Sequence, residues 1–429
     1  MRGVRAYLDG APADRALPKV RHLMSTLPFI EAERILGGTA QFRRTNLALF
    51  LAGFSTFALL YGVQPLMPVF AAEFHVSPAT SSLTISLTTG AVAVMMLFAG
   101  ALADAIGRKR IMCVSMTLTA LLTVAAAFVS DFNQMMVLRL LMGIALSGVP
   151  SIAMAYLGEE IDPRSVGLAM GLFIGGSGFG GMVGRVVTGA LTDYASWRVA
   201  LMVLGGSGLI AAVAFWRSLP ESRHFTPRKF HPWRLVTGLG EQFAVKGLPW
   251  LFAMAFLFMG SFVTLYNYVG FRLMAPPYNL SQTVTGSLFT VYLIGIWAST
   301  WMGSLADRFG RRRMLWITVL ILLAGVEFTR SDSLPMIVLG IATITFGFFG
   351  GHSIASSWVS RRAGPSKAQA SSLYLFFYYT GSALLGSYGG VIWADSGWTG
   401  VTNLVTLLLG LALLVALRLS FLKPLSGSK

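Results

Sequence analysis

GALADAIGRKR at residues 100–110 and GSLADRFGRRR at 303–313 are two copies of one sequence, identical at seven of eleven positions across an offset of 203. Each starts where a long apolar run ends, sets an aspartate (Asp104, Asp307) three residues before a glycine (Gly107, Gly310), and finishes on basic residues. The pattern describes a chain that leaves an apolar helix, turns tightly and enters the next helix through a basic collar. Glycine suits such a turn because it adopts backbone conformations closed to other residues. Other pairs repeat as well. Ile152-Ala153 and Pro163 return as Ile354-Ala355 and Pro365 at an offset of 202, and Tyr61…Leu66-Met67 returns as Tyr268…Leu273-Met274 at 207. Asp193 near the end of one apolar run matches Asp395 near the end of another. The chain is two halves of one design.

A membrane-spanning helix needs about 20 mostly apolar residues. Twelve segments qualify: 47–71, 82–103, 111–130, 134–157, 165–190 and 199–217, then 248–271, 283–305, 314–329, 335–357, 368–392 and 399–418. Composition agrees, since 55% of the 429 residues are hydrophobic and 12% charged, where a soluble domain carries about 25% charged. The predicted fold is all-α and integral to the membrane, with twelve helices in two pseudo-symmetric six-helix bundles at 47–217 and 248–420. A tail at 1–46, a central loop at 218–247 and a tail at 421–429 complete it. The first tail reads as a disordered or surface-lying extension. Cys113, alone of its type, reads as an inert packing residue.

The net charge of +16 could suggest nucleic acid, but its distribution excludes that partner. With the N-terminus inside, 28 of the 33 basic residues lie on one membrane face. Arg198, Arg272 and Arg330 lie on the other, and Arg139 and Arg185 fall within spans. Lysine and arginine are retained on the cytoplasmic side, so both termini are expected there. Six-helix repeats inserted in the same direction are the parallel symmetry of secondary transporters, with a substrate site near the midplane between the halves.

Those residues carry a family resemblance that covers the chain from about residue 45 onward. The sequence resembles the major facilitator superfamily: Gly100-x-Leu-Ala-Asp104-x-x-Gly107-Arg108-Lys-Arg110 is similar to its signature loop between helices two and three. The second copy is Gly303, Asp307, Gly310, Arg311 and Arg313. Arg139-x-x-x-Gly143 resembles the family's fourth-helix motif, and Pro220-Glu-Ser-Arg223 the motif after helix six. FRRTNLALFLAGFSTFALLYGVQPLMP (42–68) and the glycine-rich fifth span resemble its YnfM-like drug and metabolite efflux branch. The resemblance implies alternating access, a small-molecule substrate, a proton as driving ion, no cofactor, and a monomer in a bacterial cytoplasmic (inner) membrane. It also implies that Asp104 engages the start of span eleven when the cytoplasmic side closes, although a topology anchor alone would need the same residues.

Arg139 and Arg185 each lie about five residues inside the outer boundary, which at 1.5 Å per residue is roughly 8 Å. An arginine at that depth faces a partner or a wet cavity. Gln64 sits at a similar depth and could accept from Arg139. The family motif leaves Arg139 either bracing span one or serving transport chemistry, and Arg185 either lining the site or snorkelling outward. The fifth span, GLFIGGSGFGGMVGRVVTG, satisfies a dinucleotide-loop spacing at Gly176, Gly178 and Gly181 by accident, since no strand precedes it. Its stacked Gly176, Gly180 and Gly184, with Gly181 beside them, instead suit close helix packing. It lacks the Gly-Pro step of the family's antiporters.

Spans one, four and five hold acids only at their ends and flanks, and Glu327 in span nine lies within reach of Arg330. Two embedded arginines without an embedded acid point to a neutral or anionic substrate. Spans one, four, seven and ten are expected to line the cavity, with Tyr61, Gln64, Tyr266, Asn267, Tyr268 and His352 supplying polar and aromatic groups. His352 can titrate near neutrality and is either a proton relay or a packing residue. The function expected is proton-coupled export, with import of an organic anion as the alternative reading. A passive channel or a membrane enzyme is a distant alternative. The sequence has no metal-binding histidine pair, no Gly-x-Ser-x-Gly elbow and no phosphate loop.

Overall fold

The computed structural model describes residues 34–223 and 232–422 as helices joined by short turns, with one isolated β-bridge between Ile35 and Ile161. Among these residues ten helical stretches are long and apolar enough to cross a membrane. One of them, Lys367–Ser420, is two helices joined at Gly397, whose φ of 56° departs from the helical path. Arg311–Phe328 is a further span whose apolarity is lowered by three arginines and Glu327 near its ends. Twelve spans result, in two sets of six.

The helices outrun the apolar segments that betray them. Span one begins at Ala40 rather than 47, and span two covers Pro78–Ile106. Polar residues supply the ends: the side chains of Thr39, Ser77, Asp131, Ser196 and Ser281 each accept a backbone N–H from the first turn. An N-cap of this kind contributes about 1 kcal/mol. Prolines interrupt the spans at two places. Span one passes through a 3₁₀ turn at Gln64–Leu66, where Pro65 has no N–H to give, and span four breaks between Leu146 and Pro150. Both signature loops turn at a glycine with positive φ, Gly107 at φ 114° and Gly310 at φ 90°.

Three expectations for the polar segments need correction or fall outside the structure. The tail is docked from residue 34 on: Ile35 is buried, donates its N–H to the Glu160 carbonyl at 2.8 Å and accepts from the Asp162 N–H at 3.1 Å. An apolar side chain and two backbone bonds override the tail's polar composition there. Residues 1–33, the stretch 224–231 and residues 423–429 lie outside the described residues. The central loop carries an unforeseen helix, Pro232–Ala244, whose Phe243 meets Phe252 and Phe377 edge-on. Phe252 and Phe377 themselves stack at 5.7 Å.

Within each half, packing rests on small residues. Span one lies against span five so closely that a Cβ on Gly176 would stand 2.7 Å from the Phe50 carbonyl oxygen, on Gly180 2.1 Å from that of Phe54, and on Gly184 2.7 Å from the Ala58 Cα. Cys113 packs partly buried beside an apolar cluster of the first half. Between the halves, span two meets span eleven and span five meets span eight.

Candidate functional site

A cavity of about 1160 Å³ lies between the halves. It opens at the end of the bundle that carries the two basic loops, where Asp104, Arg108, Glu159 and Lys367 line its mouth. It stops at Gln64 and Arg185. Beyond them the halves are joined. Gln64 Nε2 donates to Asn267 Oδ1 across the divide at 2.8 Å. Gly189 and Gly286 touch, and a Cβ on Gly390 would reach the Ala79 Cα at 2.4 Å. Asp193 at the end of span five accepts the N–H groups of Gln282 and Thr283 at 3.1 and 2.6 Å, capping the first turn of span eight.

That cap is one fastening of the closed end, and a carboxylate on a helix start is worth roughly 1 kcal/mol. Asp193→Ala should therefore shift the protein toward opening at this end by roughly fivefold. A cysteine placed at Ser299 on the cavity wall, with Cys113→Ala to remove the native thiol, reports the change through its labelling rate by an impermeant maleimide added on that side. An unchanged rate would refute the fastening.

The two embedded arginines part company. Arg139 is 1% exposed and does not line the cavity. Its Nε donates to the Thr84 carbonyl at 2.5 Å, its Nη2 to Leu60 at 2.9 Å, and its Nη1 to Leu59 at 3.4 Å and to Met142 Sδ at 3.5 Å. The three carbonyls belong to span two and to the end of the helix Ala40–Tyr61, just before the proline break in span one. Gln64 does not accept from Arg139, contrary to the depth argument. It accepts instead from Arg185 Nε at 2.7 Å. Arg185 does not snorkel either: it is 3% exposed, lines the cavity, and donates Nη1 to the Gly181 carbonyl at 2.6 Å. Its guanidinium carbon lies 4.5 Å from the ring centre of Tyr61, 4.7 Å from Phe289 and 5.0 Å from Tyr292. Aromatic faces attract a cation, so the rings hold the charge in place while leaving Nη2 unbonded among the described residues.

His352 stands on the wall with Nδ1 3.0 Å from the Tyr374 hydroxyl, its ring parallel to Phe348 and close to Tyr378. Tyr266, Asn267 and Tyr268, expected on the wall, are not. Tyr266 bonds Thr345 at 2.7 Å, Asn267 holds Gln64, and Tyr268 donates to the Gly386 carbonyl at 2.7 Å. Bulky side chains on one helix point in several directions, and span seven is buried on nearly every face. In exchange the cavity takes walls from spans two, five, eight and eleven as well as one, four, seven and ten. The tyrosines missed by sequence reasoning are Tyr292 on span eight and Tyr374, Tyr378 and Tyr379 on span eleven. Their signal was the run Tyr374-Leu-Phe-Phe-Tyr-Tyr379, an unusual density of phenols for a membrane span.

At the mouth, Gly100 lines the cavity, and Arg108, almost fully buried, lies between Asp104 at 3.3 Å and Glu159 at 2.6 Å. In the second copy Asp307 is paired with Arg311 and with Arg361 at 3.4 Å. Glu159 and Arg361 are equivalent under the 202 offset, with opposite charge. Arg110 and Arg313 are exposed, and Gly303 faces Ser353. Glu327 pairs with Arg330 at 3.0 Å as the spacing predicts.

Two six-helix sets around a central cavity closed at one end define a membrane transporter, and the comparisons agree. Residues 49–275 and 271–428 each match the Major Facilitator Superfamily model, and the chain belongs to that family. It is 46% identical over 412 residues to the inner membrane transport protein YnfM of Escherichia coli (strain K12), covering 96% of this chain and 97% of that one. It is 49% identical over 383 residues to the MFS-type transporter YybF of Bacillus subtilis (strain 168), covering 89% and 94%. Its fold matches a bacterial homologue of the human lysosomal transporter Spinster, solved inward-facing and unoccupied, with a TM-score of 0.73 at 15% identity over 90% of this chain and 98% of that one. The relatives are named as transporters, not enzymes.

Proposed function

We propose that the chain is a monomeric, proton-coupled exporter that moves a small neutral or anionic metabolite or drug out of the bacterial cytoplasm by alternating access. In this reading the basic mouth and both termini face the cytoplasm, the protein sits in the inner membrane, and no cofactor takes part. The observation that carries it is Arg185, a guanidinium at the blind end of the cavity with no acid in contact among the described residues. A cation would be repelled there, and at 4 Å two like charges repel by several kcal/mol at an effective dielectric of about 20. An open basic mouth fits loading from the cytoplasm. The two bundles at 47–217 and 248–420 are the bodies that rock, and the loops at 100–110 and 303–313 close the mouth.

His352 is the proposed proton carrier, since it lines the same cavity and its hydrogen bond to Tyr374 gives the proton a defined partner. Inverted vesicles test direction and drive together. An exporter accumulates substrate when the lumen is acidified and loses it when an uncoupler is added. Accumulation with the lumen alkaline would favour the import of an anion with a proton. His352→Gln should abolish accumulation driven by the pH gradient while leaving exchange of substrate for substrate intact. Full pH-driven accumulation in that variant would exclude the histidine.

A further inference from the structure

The inner end of the cavity has a composition more specific than the proposed function needs. Arg185 Nε and Nη1 are occupied by Gln64 and Gly181, and Nη2 is free toward the cavity among the described residues. Beside it, Tyr61 is 4% exposed and its hydroxyl is buried without a partner among the described residues. A buried hydroxyl with no partner is uncommon and calls for a ligand or an ordered water. Two donors from neighbouring helices, with the guanidinium carbon 4.5 Å from the Tyr61 ring centre, thus line the inner end of the cavity without a protein acceptor among the described residues. The same cavity is walled by rings: Tyr292 and Phe349 at 5.4 Å, Phe262 and Phe348 stacked at 3.9 Å, and His352 against Tyr378 at 4.8 Å. The other cations of the lining, Arg108 and Lys367, lie at the mouth, and Arg108 already has two carboxylates.

We propose that this is the recognition site for a planar aromatic monocarboxylate, a deepening of the anionic reading above that rests on it. One carboxylate oxygen accepts from Arg185 Nη2 and the other from the Tyr61 hydroxyl. The ligand's ring slides between the aromatic walls, where offset or edge-on contacts are favoured over contacts to a saturated ring. A single uncommitted guanidinium matches one negative charge. A dianion would carry its second carboxylate into a wall of rings with no cation to meet it.

The test is binding to the full-length protein in nanodiscs, by calorimetry and by thermal shift, with four probes: benzoate, cyclohexanecarboxylate, benzamide and tetraphenylphosphonium. Benzoate is expected to bind and raise the melting temperature. Benzamide should bind about 10- to 100-fold more weakly through loss of the charge-assisted bonds. Cyclohexanecarboxylate should bind roughly 2- to 10-fold more weakly through loss of ring contacts. Arg185→Gln should abolish benzoate binding, and Tyr61→Phe should weaken it about fivefold with an unchanged melting temperature for the empty protein. The probe series uses the unaltered protein, so a misfolded variant leaves the proposal falsifiable. If the two carboxylates bind alike and both need Arg185, the aromatic assignment falls while the anionic reading stands. If tetraphenylphosphonium alone binds, both fall. Equal binding of benzamide and benzoate, or no binding of benzoate at all, overturns the site.

Discussion

Replacing Arg139 with leucine is expected to cost the folded protein about 3 kcal/mol or more and to leave its ligand affinity intact. The guanidinium donates to carbonyls of Thr84, Leu60 and Leu59 in a place no water reaches. The regular helix Ala40–Tyr61 ends there, and the last carbonyls of a helix have no N–H four residues on to accept from. Removing the donor leaves buried acceptors unsatisfied, and a hydrogen bond to a charged group contributes about 1.5–3 kcal/mol. Lysine offers one compact cation in place of a flat fork, so Arg139→Lys should recover only part of the loss. Thermal melting followed by tryptophan fluorescence in detergent gives the first quantity, and ligand binding to the surviving folded fraction gives the second. Arg185→Gln should show the reverse pattern, with near-normal melting and lost binding. If Arg139→Leu melted normally and failed to bind, the assignments of the two arginines would have to be exchanged.

The second large effect is expected at Gly180. A Cβ there would stand 2.1 Å from the Phe54 carbonyl oxygen and 2.5 Å from the Phe54 Cα, and both atoms belong to the backbone of span one. No side-chain rotation relieves that overlap, so the two helices must separate. Overpacking a well-filled interior commonly costs about 1–3 kcal/mol, and a clash with backbone lies at or above the upper end. Gly180→Val should prevent accumulation of folded protein, and Gly180→Ala should lower the melting temperature markedly. Gly175, five residues earlier on the same helix, has nothing within 4 Å of where a methyl group would stand. Gly175→Ala should be neutral or stabilise the helix by up to about 1 kcal/mol. Melting curves of the two alanine variants side by side are sufficient. Equal behaviour would remove close packing as the reason for these glycines.

Much of this architecture was legible in advance, because hydropathy and internal repetition report directly on spans and their order. The loops at 100–110 and 303–313 needed only to be aligned. What failed was orientation around a helix axis. Depth can be counted along a sequence at 1.5 Å per residue, but Arg139 and Arg185 lie at similar depths and point to different neighbours. Choosing Gln64 as the partner of Arg139 used height alone. Tyr266, Asn267 and Tyr268 posed the same difficulty, since three consecutive residues face three directions and span seven buries them all. The cavity rings of spans eight and eleven went unnoticed because a tyrosine in a membrane helix packs as readily as it binds. The helix at Pro232–Ala244 was hidden in a segment whose flanking charges suggested only a loop.

The charge reversal between Glu159 and Arg361 gives the side-chain triads at the two loops opposite net charge, while both loops stay basic. In the first half one arginine sits between two carboxylates, and in the second one aspartate sits between two arginines. Each triad is internally paired, yet each keeps one unit of charge left over, negative in the first and positive in the second. Physiological salt screens exposed charges beyond about 8 Å. Beyond that distance the two triads hardly sense each other. Duplication alone would have produced two triads of the same sign. A single exchanged residue pair makes the symmetric scaffold polar at these two triads, and any pull between them weakens as ionic strength rises.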